Sequence, residues 1–195
     1  RLLRSQGHDV TAEYYVNDSA TTNDQWCLQA ADGAGNGTTA DPWTLAEFTS
    51  WVEGAGTQLN PGDRVNIDSG TYDNDSANGI TIGTTDDGTA VSPVTIRGAL
   101  TGTTRLATIH DTAGTGRDRL WTLNGAYIVL QDMILHTARD AGAANWGDGC
   151  AVFAESTTCT NITMRNLEIY NCQASAIMCY EGATPYLAGH IIECG

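Results

Sequence analysis

The sequence predicts an all-β solenoid: a parallel β-helix closed at its N-terminal end by one capping α-helix and open at its C-terminal end. Three observations predict it. From Pro61 onward the chain is a series of short β-like stretches with Gly, Asp, Asn or Pro in nearly every gap. The stretch IVLQDMILHTA (128–138) is restated as ITMRNLEIYNC (162–172), apolar at the first, third, sixth and eighth places of both. One amphipathic segment, 41–53, stands alone among the strands.

The elements follow in chain order. EYYVN (13–17) alternates like a strand and leads into a loop rich in Gly, Asp, Asn and Thr. The helix is expected to start with Asp41 as N-cap and Pro42 at the first helical position. Leu45, Phe48, Trp51 and Val52 form its apolar stripe, and Gly54 and Gly56 stop it. Strands are expected at 64–68, 79–83, 94–98, 107–110, 120–123, 127–135, 150–154, 162–170 and 176–180.

Their spacing carries the architecture. The interval from Val94 to Ile128 equals that from Ile128 to Ile162, and the step from Ile162 to Ile191 and Ile192 is somewhat shorter. A second series matches Cys150 and Val152 with Ile177 and Cys179. Such periods mark stacked repeats. No helical period occurs after residue 56, which excludes helical repeats, and the irregular joins do not suit the meandering hairpins of propeller blades. In a parallel coil each strand pairs with its counterpart about 4.8 Å away, so equivalent positions must match in size. Asp132 and Asn166 fall where the inward phase changes, and are expected to turn a corner by bonding the neighbouring turn's backbone.

Composition bounds the rest. With 195 residues and 41% hydrophobic content the chain can bury one core, and residues 13–195 read as one domain: strand, loop and cap over 13–60, coil turns over 61–195. The 23 acidic residues outnumber the 9 basic ones, every one of them Arg, for a formal charge of −14. That excludes nucleic acid and an anionic membrane surface as partners. No apolar run is long enough to span a membrane. RLLRSQGHDV lacks an initiator Met and HIIECG breaks off at the opening of a strand. Both predict a segment of something longer, with 1–12 a leader or linker remnant and the open end meeting more of its own chain or a neighbouring subunit. Of the six Cys, Cys150 and Cys179 read as buried small residues, and no Cys/His metal spacing occurs. Sequons lie at Asn17, Asn36, Asn74 and Asn161.

YYVNDSA, DPWTLAEFTSWV, NPGDRVNIDSGTY, SPVTIRGA, NGAYIVLQDMIL and TNITMRNLEIYNC together resemble the N-terminal portion of right-handed parallel β-helix proteins of the pectate-lyase-like superfamily. The similarity is nearest to family 9 polysaccharide lyases and related cell-surface β-helix proteins, and covers about residues 13–195. It implies a right-handed coil, an extracellular or cell-surface location, and carbohydrate as the ligand class. In that family a Lys base removes a proton beside a uronate carboxylate neutralised by Ca²⁺ in an Asp cluster. This chain has no Lys, and Arg97, Arg139 and Arg165 are the stand-ins by analogy with related lyases.

The expected function is therefore a non-catalytic extracellular module: a scaffold, adhesin or glycan-contacting segment. The alternative is the N-terminal part of a polysaccharide lyase acting on uronate glycans by Ca²⁺-assisted β-elimination. Glycan contacts are expected from the loop 139–149, where Arg139, Asp140, Trp146 and Asp148 combine a flat aromatic with polar neighbours. Asp86 and Asp87 are the Ca²⁺ candidates, with a solvated turn as the plainer reading. His110 and Asp111 are an acid/base pair by type, but adjacent strand residues face opposite ways.

Overall fold

A computed structural model describes residues 12–56, 58–74, 79–111, 119–136, 150–154, 157–172, 175–179 and 191–194. Short extended segments dominate: β1 (Glu13–Val16), β2 (Arg64–Ile67), β3 (Gly70–Asp73), β4 (Ile80–Ile82), β5 (Val94–Gly98), β6 (Leu100–Thr101), β7 (Thr104–Arg105) and β8 (Ala107–His110). They continue as β9 (Arg119–Leu123), β10 (Ile128–Gln131), β11 (Ile134–His136), β12 (Cys150–Ala154), β13 (Thr163–Tyr170), β14 (Ile177–Cys179) and β15 (Ile191–Cys194). The fold among the described residues is mostly β, with the single helix α1 (Leu45–Val52).

The strands form a curled, mostly parallel sheet. One ladder runs β1-β2-β5-β10-β13, with β15 also pairing β13, and a second runs β3-β8-β11-β13. They share β13, whose first half pairs β10 and whose second half pairs β11, so the sheet bends within one strand. A separate parallel ladder, β4-β9-β12-β14, lies beside them. The antiparallel pair among the described strands is the β6–β7 hairpin, turned by Gly102 at φ +62°. Sequence reasoning did not single it out, because the two-residue strands in LTGTTR are too short to show alternation.

Registers carry the repeat. Ile128 lies opposite Val94, and Val129 opposite Thr163, so the interval read between the two matching stretches is the interval between paired strands. In the separate ladder the register differs from the expected one. Val152, not Cys150, pairs Ile177, and Ala154, not Val152, pairs Cys179. A slip of two leaves side-chain parity unchanged, so the apolar faces point the same way under either register.

The inward rows of the three ladders are apolar. Val65, Ile96, Leu130 and Met164 form one row in register, all nearly inaccessible. Tyr72, Ile109 and Leu135 form another, and Ile80, Trp121 and Val152 a third. The three rows and the buried face of α1 make one core cluster. Stacking like on like in this way buries each side chain against its own counterpart.

The helix begins later than the sequence suggested. Thr44, not Asp41, is the N-cap: its hydroxyl accepts from the Glu47 N–H at 3.2 Å while Glu47 accepts from the Thr44 N–H at 2.8 Å. This is the reciprocal capping box T-x-x-E. Residues before it are held extended, Trp43 bridging Val16 in parallel fashion with its N–H bonded to Tyr15 O at 3.0 Å, so Pro42 precedes the helix. Trp43, Phe48 and Trp51 then gather with Tyr14 over the end of the first ladder.

The two residues expected at a corner are bonded differently from the expectation. Asp132 (φ +64°) and Asn166 (φ +49°) both adopt the left-handed conformation that Asp and Asn tolerate best. Asn166 Nδ2 donates to the Asp132 carboxylate at 2.7 Å, a side-chain bond rather than one to the backbone. Arg105, from the hairpin, donates to Asn166 O and Oδ1, both at 2.6 Å, and to Glu168 at 3.1 Å, with its side chain 11% exposed.

Arg105→Ala is expected to cost about 2–3 kcal/mol, since charge-assisted bonds to a shielded acceptor are lost. Glu168→Gln should cost less than about 1 kcal/mol because that carboxylate is more exposed. Urea unfolding of both variants measures this; equal losses would show that the ion pair, not the Asn166 contacts, carries the anchor.

Candidate functional site

Outside the core, the outward face of the second ladder is the most developed surface. Its residues align in two rows. Thr71, Thr108, Ile134 and Glu168 are in register across β3, β8, β11 and β13, and so are Asp73, His110, His136 and Tyr170.

Over the first of these strands lies an open groove of about 500 Å³. Thr71 and Thr108 form its floor, Thr22, Asn23 and Gln25 one wall, and Thr101 and Thr104 the other. Among the described residues no ionisable side chain lines it. The first wall is held by Asp68, which is wholly buried and accepts four backbone N–H bonds: Gln25 at 2.7 Å, Trp26 at 2.8 Å, Cys27 at 2.6 Å and Ser69 at 2.7 Å. Ser69 adds a bond from its hydroxyl to Asn23 O at 2.6 Å. The opposite wall is the hairpin that Arg105 ties to Asn166. Gly70 sits at φ +156°, which favours glycine, and a side chain there would meet Asp18 Oδ2 at 2.4 Å unless Asp18 turned aside.

Beyond the groove the face becomes aromatic. His136 and Tyr170 meet edge to face with ring centroids 6.2 Å apart, and His136 Nε2 lies 2.6 Å from Asn171 Nδ2. His110 Nε2 sits 3.9 Å from Asp73, while Asp111 is buried, so His110 faces Asp73 and not its sequence neighbour. Tyr170 is exposed and bonds Glu168 through its hydroxyl. The face thus offers a groove of uncharged hydroxyls and amides, and beside it the His136 and Tyr170 rings among the ionisable Asp73, His110 and Glu168, an arrangement that binds by hydrogen bonds and stacking.

The other sequence candidates are placed as follows. Arg139, Asp140, Trp146 and Asp148 lie outside the described residues. Asp86 is buried and accepts from the N–H groups of Gln58 (2.8 Å), Leu59 (2.8 Å) and Gly83 (3.1 Å). Asp87 accepts from the Ala126 N–H at 2.6 Å. Both carboxylates thus bind turns to the sheet, and among the described residues no group of three or more His, Cys, Asp or Glu is placed to hold a metal. Arg97 and Arg165 each donate Nε to a carboxamide on the preceding strand of the ladder, Asn66 at 2.7 Å and Gln131 at 2.6 Å. Arg97 also lies 4.8 Å over the Trp26 ring. Burial, and then Arg64, lower its pKa.

Of the four sequons, Asn17 and Asn74 are buried with their amide nitrogens bonded, Asn161 is half-buried, and Asn36 is exposed. No helix among the described residues is long and apolar enough to cross a membrane. Neither a protein-family model, nor a curated protein, nor a solved structure matches this chain.

Sequence reasoning missed the groove because its walls come from segments far apart in the chain, 22–25 and 101–104. The signal available was the Thr at equivalent outward positions 71 and 108.

The buried thiols generate a pH prediction. Burial first, then the nearby Cys179, pushes the Cys159 thiol up from 9.0 to about 12. Burial likewise raises the Cys27 thiol and the Tyr72 phenol. Between pH 9 and 12 the unfolded chain has lost the Cys159 proton that the folded chain keeps. Stability is therefore intact below pH 9 and falls as pH rises through that window. Urea midpoints at about pH 8 and about pH 11 should show the fall, flattened in Cys159→Ala. An unchanged slope in that variant would assign the alkaline loss elsewhere.

Proposed function

We propose that the chain is a segment of a right-handed parallel β-helix that works outside the cell or at its surface as a non-catalytic glycan-contacting module. One observation carries this reading: a single outward face on which an uncharged hydroxyl-lined groove runs on into a strip of aromatic rings. Vicinal sugar hydroxyls pair with Thr, Asn and Gln, and the less polar face of a sugar ring stacks on Tyr or His. The open shape suits a polymer passing across strands rather than a small molecule enclosed between them.

The coil reading is supported by the parallel ladders, by the recurrence of one interval in their registers and by sequence stretches that resemble those of the pectate-lyase-like superfamily. A groove whose described lining lacks ionisable groups has nothing there to remove or deliver a proton, which supports a binding role.

The polysaccharide-lyase alternative would rest on Arg97, a half-buried Arg on the outer face of the first ladder whose charge is disfavoured by burial and then by Arg64. Its Nε is committed to Asn66 and its plane to Trp26, an arrangement that also suits a structural rung.

Binding to a panel of neutral and uronate polysaccharides tests the proposal. Thr108→Arg, which blocks the groove floor, and Tyr170→Ala, which removes a ring, should each weaken binding about tenfold or more, about 1.4 kcal/mol. Binding indifferent to both changes would overturn the assignment of this face. Incubation with polygalacturonate and Ca²⁺ should give no unsaturated product, and a product lost in Arg97→Ala would replace this reading with the lyase.

A further inference from the structure

The loop that walls the groove contains two buried oxygens without a donor. Asn17, just past the end of the first strand, is wholly inaccessible. Its Nδ2 donates to Asp24 Oδ2 and to Gln29 O, each at 2.9 Å. Those two acceptors fix the orientation of the amide, so the remaining atom is Oδ1. Asn17 Oδ1 has no hydrogen-bond partner, and neither does the buried Oδ1 of Asp24, the carboxylate that the same amide holds. A buried oxygen with no partner costs free energy that the fold must recover elsewhere.

Their surroundings are negative. Asp68 and Asp18 act on Asp24 electrostatically. Asp68 is filled by its four N–H donors and has nothing left to offer. Asp18 accepts from the Ala20 N–H at 2.7 Å with Oδ1, while its Oδ2 lies against Gly70. Arg64 and Arg105 spend their ion pairs on Glu13 and Glu168. Oxygen donors together with excess negative charge are the conditions a hard cation satisfies.

We propose that Asn17 Oδ1 and Asp24 Oδ1 are protein ligands of a hard divalent cation of the Ca²⁺ type, fastening the 17–31 loop against β2 and β3. Asp18, which acts on Asp24 electrostatically, supplies a further carboxylate, and main-chain carbonyls or water complete the shell. The site differs from the Asp86–Asp87 turn, whose carboxylates are committed to N–H groups, and it does not depend on the glycan reading. With few charged ligands its affinity falls in the range of about 10⁻⁴–10⁻³ M.

The test is thermal unfolding of the 195-residue chain in chelator and in Ca²⁺, paired with Tb³⁺ luminescence excited through tryptophan, Trp26 standing two positions after Asp24 in the sequence. A tenfold excess of Ca²⁺ over Kd should raise the melting temperature by about 3–5 °C. Ca²⁺ should also quench the Tb³⁺ emission by competition. Asp24→Asn should abolish both responses, and Asp87→Asn should leave both unchanged. No Ca²⁺ response in the unmodified chain overturns the proposal, leaving a proton or a water to satisfy the two oxygens. So does a response that survives Asp24→Asn.

Discussion

The first parallel ladder rests on one constraint: a residue and its counterpart on the next strand agree in polarity. Val65, Ile96, Leu130 and Met164 meet that demand inside, and Asn66, Arg97, Gln131 and Arg165 meet it outside. The inner row supplies burial. The outer row supplies matched polar partners, each Arg donating to the carboxamide one strand before it. Because side chains alternate with period two, both rows are set by one register, and a slip of a single residue would put guanidinium groups in the core.

The strand positions and the recurring interval were legible in the sequence because burial imposes alternation, and stacking imposes its recurrence. The corner at Asp132 and Asn166 was legible as well, since the inward phase shifts there and both residue types tolerate positive φ. Less legible was anything decided by a distant partner. Thr44 wins the N-cap over Asp41 because Glu47 stands three positions on to answer it, while Asp41 is bridged to Thr38 and Trp43 to the first strand. The short hairpin at 100–105 has no internal periodicity and exists through its turn glycine and its anchor. The groove joins segments distant along the chain, which no local pattern announces.

The acidic composition acquires a meaning from the hydrogen bonds. Asp63, Asp68, Asp86 and Asp87 all spend carboxylate oxygens on backbone N–H groups of loops that would otherwise stand unpaired over the strands. Much of the −14 charge is thus architectural, a set of acceptors that fasten connecting segments to the sheet. Asn17 and Asp24 break that pattern, each keeping an oxygen that no donor answers, and they are conspicuous for that reason.

The reach of Arg105 has a bearing on how the chain melts. In stacked repeats each unit ordinarily touches only its neighbours, so the last one can fray alone and unfolding can creep inward step by step. Arg105 lies beside the strand that pairs β2, yet it grips Asn166 on a strand two pairings further along, passing over β10 and β11. That crossing strut couples units that are not adjacent. Losing the Asn166 strand then leaves a shielded guanidinium without its acceptors, so the strands that this contact spans open together.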